Sequence, residues 1–466
     1  VARFTPDPSF YPSPASAAQA PPETHAYVVT LNTGTNGDRA PDALTVVDLE
    51  PGSDSYGRLV GRLDMPNVGD ELHHFGWNAC SSALCPWAAH PHVERRYLLV
   101  PGLRSSRIHV VDVKDDPHRP KLVKVVEAEE IARKAGYSRP HTIHCGPDGI
   151  YVSALGNPEG DGPGGIFLLD HDDFSVKGAW EADRGPQELA YDFWWHLGYD
   201  TVLTSEWGTP KMVEEGLIGE LLLGNRYGHR LHVWDLKRRT HLQEIDLGPE
   251  HQMVLELRPA HDVRQAWGFV GVVTSTADLS ASVWLWRRGD DGRVAAEKVI
   301  TIPAEPAEAD ELPEILKPFG AVPPLITDIS LSVDDRDLYV SCWGTGELKR
   351  YDVSDPGHPR ETASVRLGGI VGRAPHPTAG PVGGGPQMVE TSRDGRRVYL
   401  TNSLYASWDA QFYPAGIGGW LAKLDAGADG SLTVDPDVYL EFQGERPHQV
   451  RLAGGDASSD SYCFPD

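Results

Sequence analysis

His141-Thr142-Ile143-His144-Cys145-Gly146-Pro147-Asp148-Gly149-Ile150-Tyr151-Val152-Ser153 is the stretch from which the fold can be read. Two apolar runs flank Asp148-Gly149, and Asp-Gly between such runs signals a hairpin. The same cadence returns in Thr327 to Ser341 and in Gln387 to Thr401. A second pattern recurs along the chain, a short β-branched or apolar run closing on aspartate. It reads Val46-Val47-Asp48, Val110-Val111-Asp112, Leu168-Leu169-Asp170, Val233-Trp234-Asp235, Leu285-Trp286-Arg287, Arg350-Tyr351-Asp352 and Lys423-Leu424-Asp425, and only the fifth copy lacks the aspartate. Each period then holds about four strands: two in the hairpin, one before the aspartate turn and one after it. Self-similarity at a steady interval means blades or solenoid turns, and antiparallel strands favour blades. The expectation is an all-β chain, a seven-bladed β-propeller with about four antiparallel strands per blade and a few loop or short-helix insertions. Residues 26–32 are the candidate strand that closes the ring. Tandem β-sandwiches are the alternative, but no Pro/Gly/Ser linker divides residues 26–466.

Residues 1–25 are rich in Pro, Ala and Ser and read as an irregular arm, leaving residues 26–466 as a single propeller domain. The proline- and acid-rich residues 303–324 read as an insertion leading into the sixth blade. Residues 208–228 read as an excursion with room for a short helix, and residues 370–386 as a Gly/Pro loop. The formal charge of −25, from 67 acidic and 42 basic residues, leaves no basic stripe for nucleic acid. No run of apolar residues is long enough to span a membrane. The five cysteines are scattered and odd in number, a poor disulfide framework. A reducing, cytoplasmic setting is therefore expected, with a periplasmic or exported location after signal cleavage as the alternative.

The inner strand of each blade starts near the central channel. His141, Thr327 and Gln387 each stand the same distance before the turn aspartates Asp148, Asp334 and Asp394, so they are expected at equivalent positions at the channel mouth. His261, in Arg258-Pro259-Ala260-His261, and His448, in Arg446-Pro447-His448, take plausible counterpart positions, and the first blade is expected to supply His73 or His74. Four blades would then aim histidine at one axis, a donor set suited to copper, zinc, iron or nickel. His144, three residues beyond His141, faces away on a straight strand but can join the site at a strand entrance. The segment Asp70-Glu71-Leu72-His73-His74-Phe75-Gly76-Trp77-Asn78-Ala79-Cys80 adds a thiol that is reactive only where nearby positive charge lowers its pKa. The competing reading is a polar turn with an inert buried cysteine. The aromatic stretches Tyr191 to Trp195 and Trp408 to Tyr413 can each line a small apolar pocket, with core packing the alternative for most of their rings. The sequence has no phosphate-cradling Gly-Lys-Ser/Thr loop, no strand-linked G-x-G-x-x-G and no Gly-x-Ser-x-Gly elbow.

Taken with Ser105-Ser106-Arg107-Ile108-His109-Val110-Val111-Asp112, Thr204-Ser205-Glu206-Trp207, Gly384-Gly385-Pro386-Gln387-Met388, Ser403 to Asp409, Gln411-Phe412-Tyr413-Pro414 and Gly454 to Asp460, the Asp70–Cys80 segment resembles the selenium-binding protein family, whose members include methanethiol oxidases. The resemblance runs the length of the chain. It implies a seven-bladed propeller and a copper-dependent oxidase that takes methanethiol, oxygen and water to formaldehyde, hydrogen sulfide and hydrogen peroxide. It also implies that Cys80 matches the cysteine tied to selenium or thiol binding, and that His73, His74, His141, His144, His261 and His448 match the family's histidines. Three or four of these are expected as direct metal ligands. Departures are Phe75 in place of Ser, Ala79 in place of Thr and Ala457 in place of a frequent Cys. Phe75 is expected to narrow the mouth of the pocket. The rival functions are a selenium- or thiol-binding scaffold without turnover, and a lactonase-type hydrolase, which would need axial carboxylates and amides where this sequence offers histidine.

Overall fold

The aspartate that closes each repeat has a structural reason. Asp48, Asp112, Asp235 and Asp352 end the third strand of their sheets and Asp170 directly follows its own, and each carboxylate accepts a hydrogen bond from the backbone N–H two residues on, at 2.9–3.1 Å. That bond forms the turn into the outer strand. The computed structural model describes residues 14–32, 40–79, 93–262 and 264–453. Among these, seven four-stranded antiparallel sheets follow one another around a ring, so the chain is a seven-bladed β-propeller.

Six blades take their strands in chain order. Blade 2 comprises Gly76–Trp77, Tyr97–Pro101, Ile108–Asp112 and Lys121–Val126, and blade 3 comprises Ser138–Cys145, Ile150–Gly156, Gly165–Leu169 and Val176–Ala179. The inner strands of blades 4 to 7 are Phe193–His196, His251–Pro259, Ile326–Leu331 and Val389–Thr391. Blade 1 is composite. Its inner strand Arg446–Leu452 pairs with His25–Leu31, followed by Ala43–Asp48 and Leu59–Asp64. The expected closing strand thus joins the two ends of the ring. Second strands such as Leu98 to Val100 are buried on both faces, while the outermost strands alternate exposed and half-buried residues.

Helix lies outside the blades: the arm, expected to be irregular, holds a five-residue helix, Pro14–Ala18, and the others are in connections. Ala128–Ala135 sits between blades 2 and 3, with Glu129 and Glu130 in its first turn, Arg133 and Lys134 in its last, and Gly136 beyond it at φ 76°. The 208–228 excursion holds two short helices, Pro210–Val213 and Gly219–Leu223. They pack with Ala406–Phe412 and with Leu312 and Leu316 of the 303–324 insertion into one apolar cluster. Trp408 Nε1 donates to the Val213 carbonyl at 2.8 Å, and the Gln411 amide brackets Leu217 with two hydrogen bonds. The stretches that break the strand pattern are therefore a cap, and it covers the channel end where the histidines lie.

Candidate metal centre

Inter-blade hydrogen bonds fix which residues share a level of the channel. The Ser153 hydroxyl of blade 3 donates to the Tyr191 carbonyl at 2.7 Å, Ser205 of blade 4 donates to Leu255 at 2.7 Å, and Thr401 of blade 7 donates to His448. Thr327 donates to the Gln387 carbonyl at 2.9 Å. One level deeper, side chains accept from the backbone of a neighbouring blade: Asp192 from Leu257 N at 2.8 Å, Asp328 from Val389 N at 2.8 Å, and Gln449 from Phe75 N at 2.5 Å. Extending that register around the ring gives an upper layer of His448, His73, His141, Tyr191, Leu255, Thr327 and Gln387 from blades 1 to 7. The layer below holds His74, Asp192, Glu256, Asp328 and Gln449. His141, Thr327 and Gln387 are thus equivalent, as their spacing predicts.

Four imidazoles meet here. The rings of His73 and His448 stack with centroids 3.6 Å apart, His74 lies 4.1 Å from His141, and His73 lies 5.0 Å from both His74 and His141. One nitrogen each of His73, His74 and His448 falls within 4.8 Å of the others. All four side chains are buried. His73 Nδ1, His74 Nε2, His141 Nε2 and His448 Nε2 have no hydrogen-bond partner. Buried polar atoms are usually paired, so three orphan nitrogens gathered within 4.8 Å, with His141 Nε2 orphaned beside them, fit a cation. His448 Nδ1 is bonded to the Ser403 carbonyl at 2.7 Å, and His141 Nδ1 to the Thr142 hydroxyl at 3.0 Å. Burial drives all four pKa values down, reinforced at His73, His74 and His141 by neighbouring imidazoles, and His448 falls to about 3. Neutral imidazole is the ligand form.

Both histidines of the His73-His74 pair enter the site, because they lie in irregular chain leading into blade 2 rather than on a strand. The pair therefore opens blade 2; the first blade contributes His448. His261 and His144 are not in the cluster. His261 follows the far end of its strand, where its backbone N–H and Nδ1 are bonded to the Asp335 carboxylate at 2.9 and 2.8 Å. Its register position belongs to Leu255, six residues earlier in the chain. His144 lies on the other face of its strand, packed on Trp194 at 4.3 Å between blades 3 and 4. Phe75 does not narrow the pocket either: it packs with Tyr27, Leu72 and Trp77 in the core between blades 1 and 2. Cys80 lies outside the described residues.

Sequence reasoning did not single out the polar layer beneath the histidines. Glu256 Oε1 accepts from the Tyr191 hydroxyl at 2.9 Å and lies 3.7 Å from His74 Nε2. The Arg258 guanidinium donates to Glu256 and Asp328 at 3.0 Å each and lies 3.5 Å from Asp192. Three fully buried carboxylates thus share one guanidinium. Burial, with Glu256 nearby, pushes Asp192 up to about 8, and burial raises Asp328 well above the usual carboxylate range. The signal for this layer was present in the sequence, since Asp192, Glu256 and Asp328 each stand one residue after a channel position.

The family model of the 56kDa selenium binding protein (SBP56) matches residues 4–463. The chain belongs to this family. A selenium-binding protein of Sulfolobus tokodaii, described as hypothetical, has a solved structure that superimposes with a TM-score of 0.96 at 56% identity, covering 98% of this chain and 100% of that one. Among curated members of the family, a methanethiol oxidase of Xenopus tropicalis is 40% identical, with 97% of each chain covered, and a human methanethiol oxidase is 38% identical with the same coverage. Outside the family, a putative 6-phosphogluconolactonase of Bacteroides uniformis superimposes with a TM-score of 0.55 at 12% identity, a likeness of fold alone.

Proposed function

We propose that the chain is a copper-dependent methanethiol oxidase working at the His73–His74–His141–His448 cluster. The full-length similarity to relatives named methanethiol oxidase supports an oxidoreductase acting on a sulfur donor. The observation that carries the metal is the set of four buried, partnerless imidazole nitrogens. An all-imidazole donor set suits copper, though not copper alone. The overall conversion balances as methanethiol, oxygen and water giving formaldehyde, hydrogen sulfide and hydrogen peroxide. Two electrons leave the methyl carbon for oxygen, and water replaces sulfur on that carbon. Bound copper would take up soft sulfur and pass electrons to oxygen.

The chain's own residues supply the rest. Ser403 holds the His448 proton on Nδ1 and so keeps Nε2 as a donor. The Tyr191 hydroxyl donates to Glu256 beside His74, which fixes both side chains at the edge of the site. The apolar cap keeps bulk water from the reacting carbon. Cys80 is proposed as a thiol that engages substrate or selenium. Metal analysis of purified protein, with sulfide and peroxide release from methanethiol, tests the reading. Full activity without metal would overturn it, and an anomalous copper signal away from these histidines would move the site.

A further inference from the structure

Outside the channel, one pair of histidines meets across a seam between blades. His25 opens the strand His25–Leu31 of blade 1, and His118 stands in the connection between the third and outer strands of blade 2. Their Nε2 atoms lie 2.7 Å apart, and their ring centroids 4.8 Å apart. Leu31 pairs with Arg446, two residues before His448, whereas His25 lies at the other end of that strand, away from the buried cluster. The pair is held from both sides. Thr24 Oγ1 lies 2.8 Å from His25 Nδ1, which orients the ring with Nε2 towards His118. The Asp116 carboxylate accepts from the His118 backbone N–H at 3.1 Å. The His118 carbonyl rests against Gly61 in the outer strand of blade 1, where a Cβ would collide with it. The connection is thus seated on the neighbouring blade.

We propose that His25 and His118 form a second site, for a divalent transition metal of the Cu²⁺, Ni²⁺ or Zn²⁺ class, that staples blade 1 to blade 2. Two neutral imidazoles facing through Nε2 share one proton, and a cation can take that proton's place. Nitrogens about 2.0–2.1 Å from a common ion stand about 3 Å apart, so the rings need part by only a few tenths of an ångström. His118 is exposed and His25 half-buried, which leaves room for water as the remaining ligands. Asp48, paired with His25 across the first two strands of the chain, and Glu50 set negative charge beside the pair. With only two protein donors the ion exchanges freely, unlike one enclosed by the channel histidines. The site shares no residue with that cluster and does not depend on the oxidase reading.

The test is equilibrium dialysis of the full-length chain against Cu²⁺, with metal analysis at equilibrium rather than after washing. Wild type should hold one more ion than either His118→Ala or His25→Ala, whatever the channel histidines take up. The difference between the wild-type and variant electron paramagnetic resonance spectra should show nitrogen couplings from two imidazoles. Thr24→Val, which removes only the orienting hydroxyl, should weaken this ion by about tenfold. Ni²⁺ and Zn²⁺ should bind the same pair less tightly than Cu²⁺. Added Cu²⁺ should raise the unfolding temperature of wild type more than that of His118→Ala, because the ion joins two blades. His118 is exposed in a connection, so its alanine variant keeps the fold, and circular dichroism checks that it does. Equal copper content and equal spectra in wild type and both alanine variants would overturn the proposal.

Discussion

His448 Nδ1 lies 2.7 Å from the carbonyl oxygen of Ser403. A carbonyl only accepts, so the bond places the imidazole proton on Nδ1 and leaves the lone pair on Nε2, which has no partner of its own. Orienting bonds of this kind fix the tautomer of metal-binding histidines.

The first prediction separates ligands from look-alikes. His448→Ala and His141→Ala should lose bound copper and sulfide release together. His261→Ala should keep both, losing about 0.5–1.5 kcal/mol of stability with its side-chain bond to Asp335. Metal content and urea unfolding of the three variants check this, and copper lost from His261→Ala would contradict the cluster.

A second prediction concerns metal-free protein and pH. Unfolded histidine titrates near 6.5, whereas burial depresses His448 to about 3. Below pH 6.5 the unfolded chain binds a proton that the native state refuses. The stability His448 contributes is thus present above pH 6.5 and lost as pH falls towards 3, at a slope approaching about 1.4 kcal/mol per pH unit. Asp192 has the opposite sign: raised to about 8 from 3.8, its contribution is full below 3.8 and lost as pH rises through 8. Because burial also depresses His73, His74 and His141, the four histidines together outweigh Asp192, so urea midpoints at pH 7, 6 and 5 should fall in the wild-type chain and fall less steeply in His448→Ala.

The third prediction tests the shared guanidinium. Arg258→Met leaves Asp192, Glu256 and Asp328 buried without their cation, which should cost about 3–5 kcal/mol. Arg258→Lys should rescue little, because one ammonium cannot span Glu256 and Asp328 as the fork does. Thermal unfolding reads both variants, and a Met variant as stable as wild type would refute the account.

Gly76 gives the fourth. A Cβ there would run into the Ile143 carbonyl oxygen of blade 3, so only glycine lets the inner strand of blade 2 lie this close. Gly76→Ala should destabilise the seam between blades 2 and 3 and shift His74 relative to His141. Weaker metal binding is expected even though no ligand is changed, and undiminished affinity would contradict it.

Much of this was legible in the sequence because propellers repeat. The terminal aspartates marked third strands, and the Asp-Gly hairpin set the register that placed His141, Thr327 and Gln387 together. Register does not extend to His261, because Leu255 holds the channel position and His261 follows the far end of the strand. It could not decide between His73 and His74, because alternation applies to strands and those residues precede one. The carboxylate layer escaped notice because Asp192, Glu256 and Asp328 lie far apart in the chain and converge only when the ring closes. The cap looked like interruptions, since short helices made of packing residues carry little periodic signal of their own.

The composite first blade has one more implication. His448 rides on Arg446–Leu452, the strand that zips against His25–Leu31 to complete the circle, while His73, His74 and His141 come from the next two blades. The centre therefore straddles the joint where the two ends of the ring meet. If that joint opens, one imidazole leaves the other three while six blades stay intact, so occupancy would report on the clasp before any loss of β-structure could be seen.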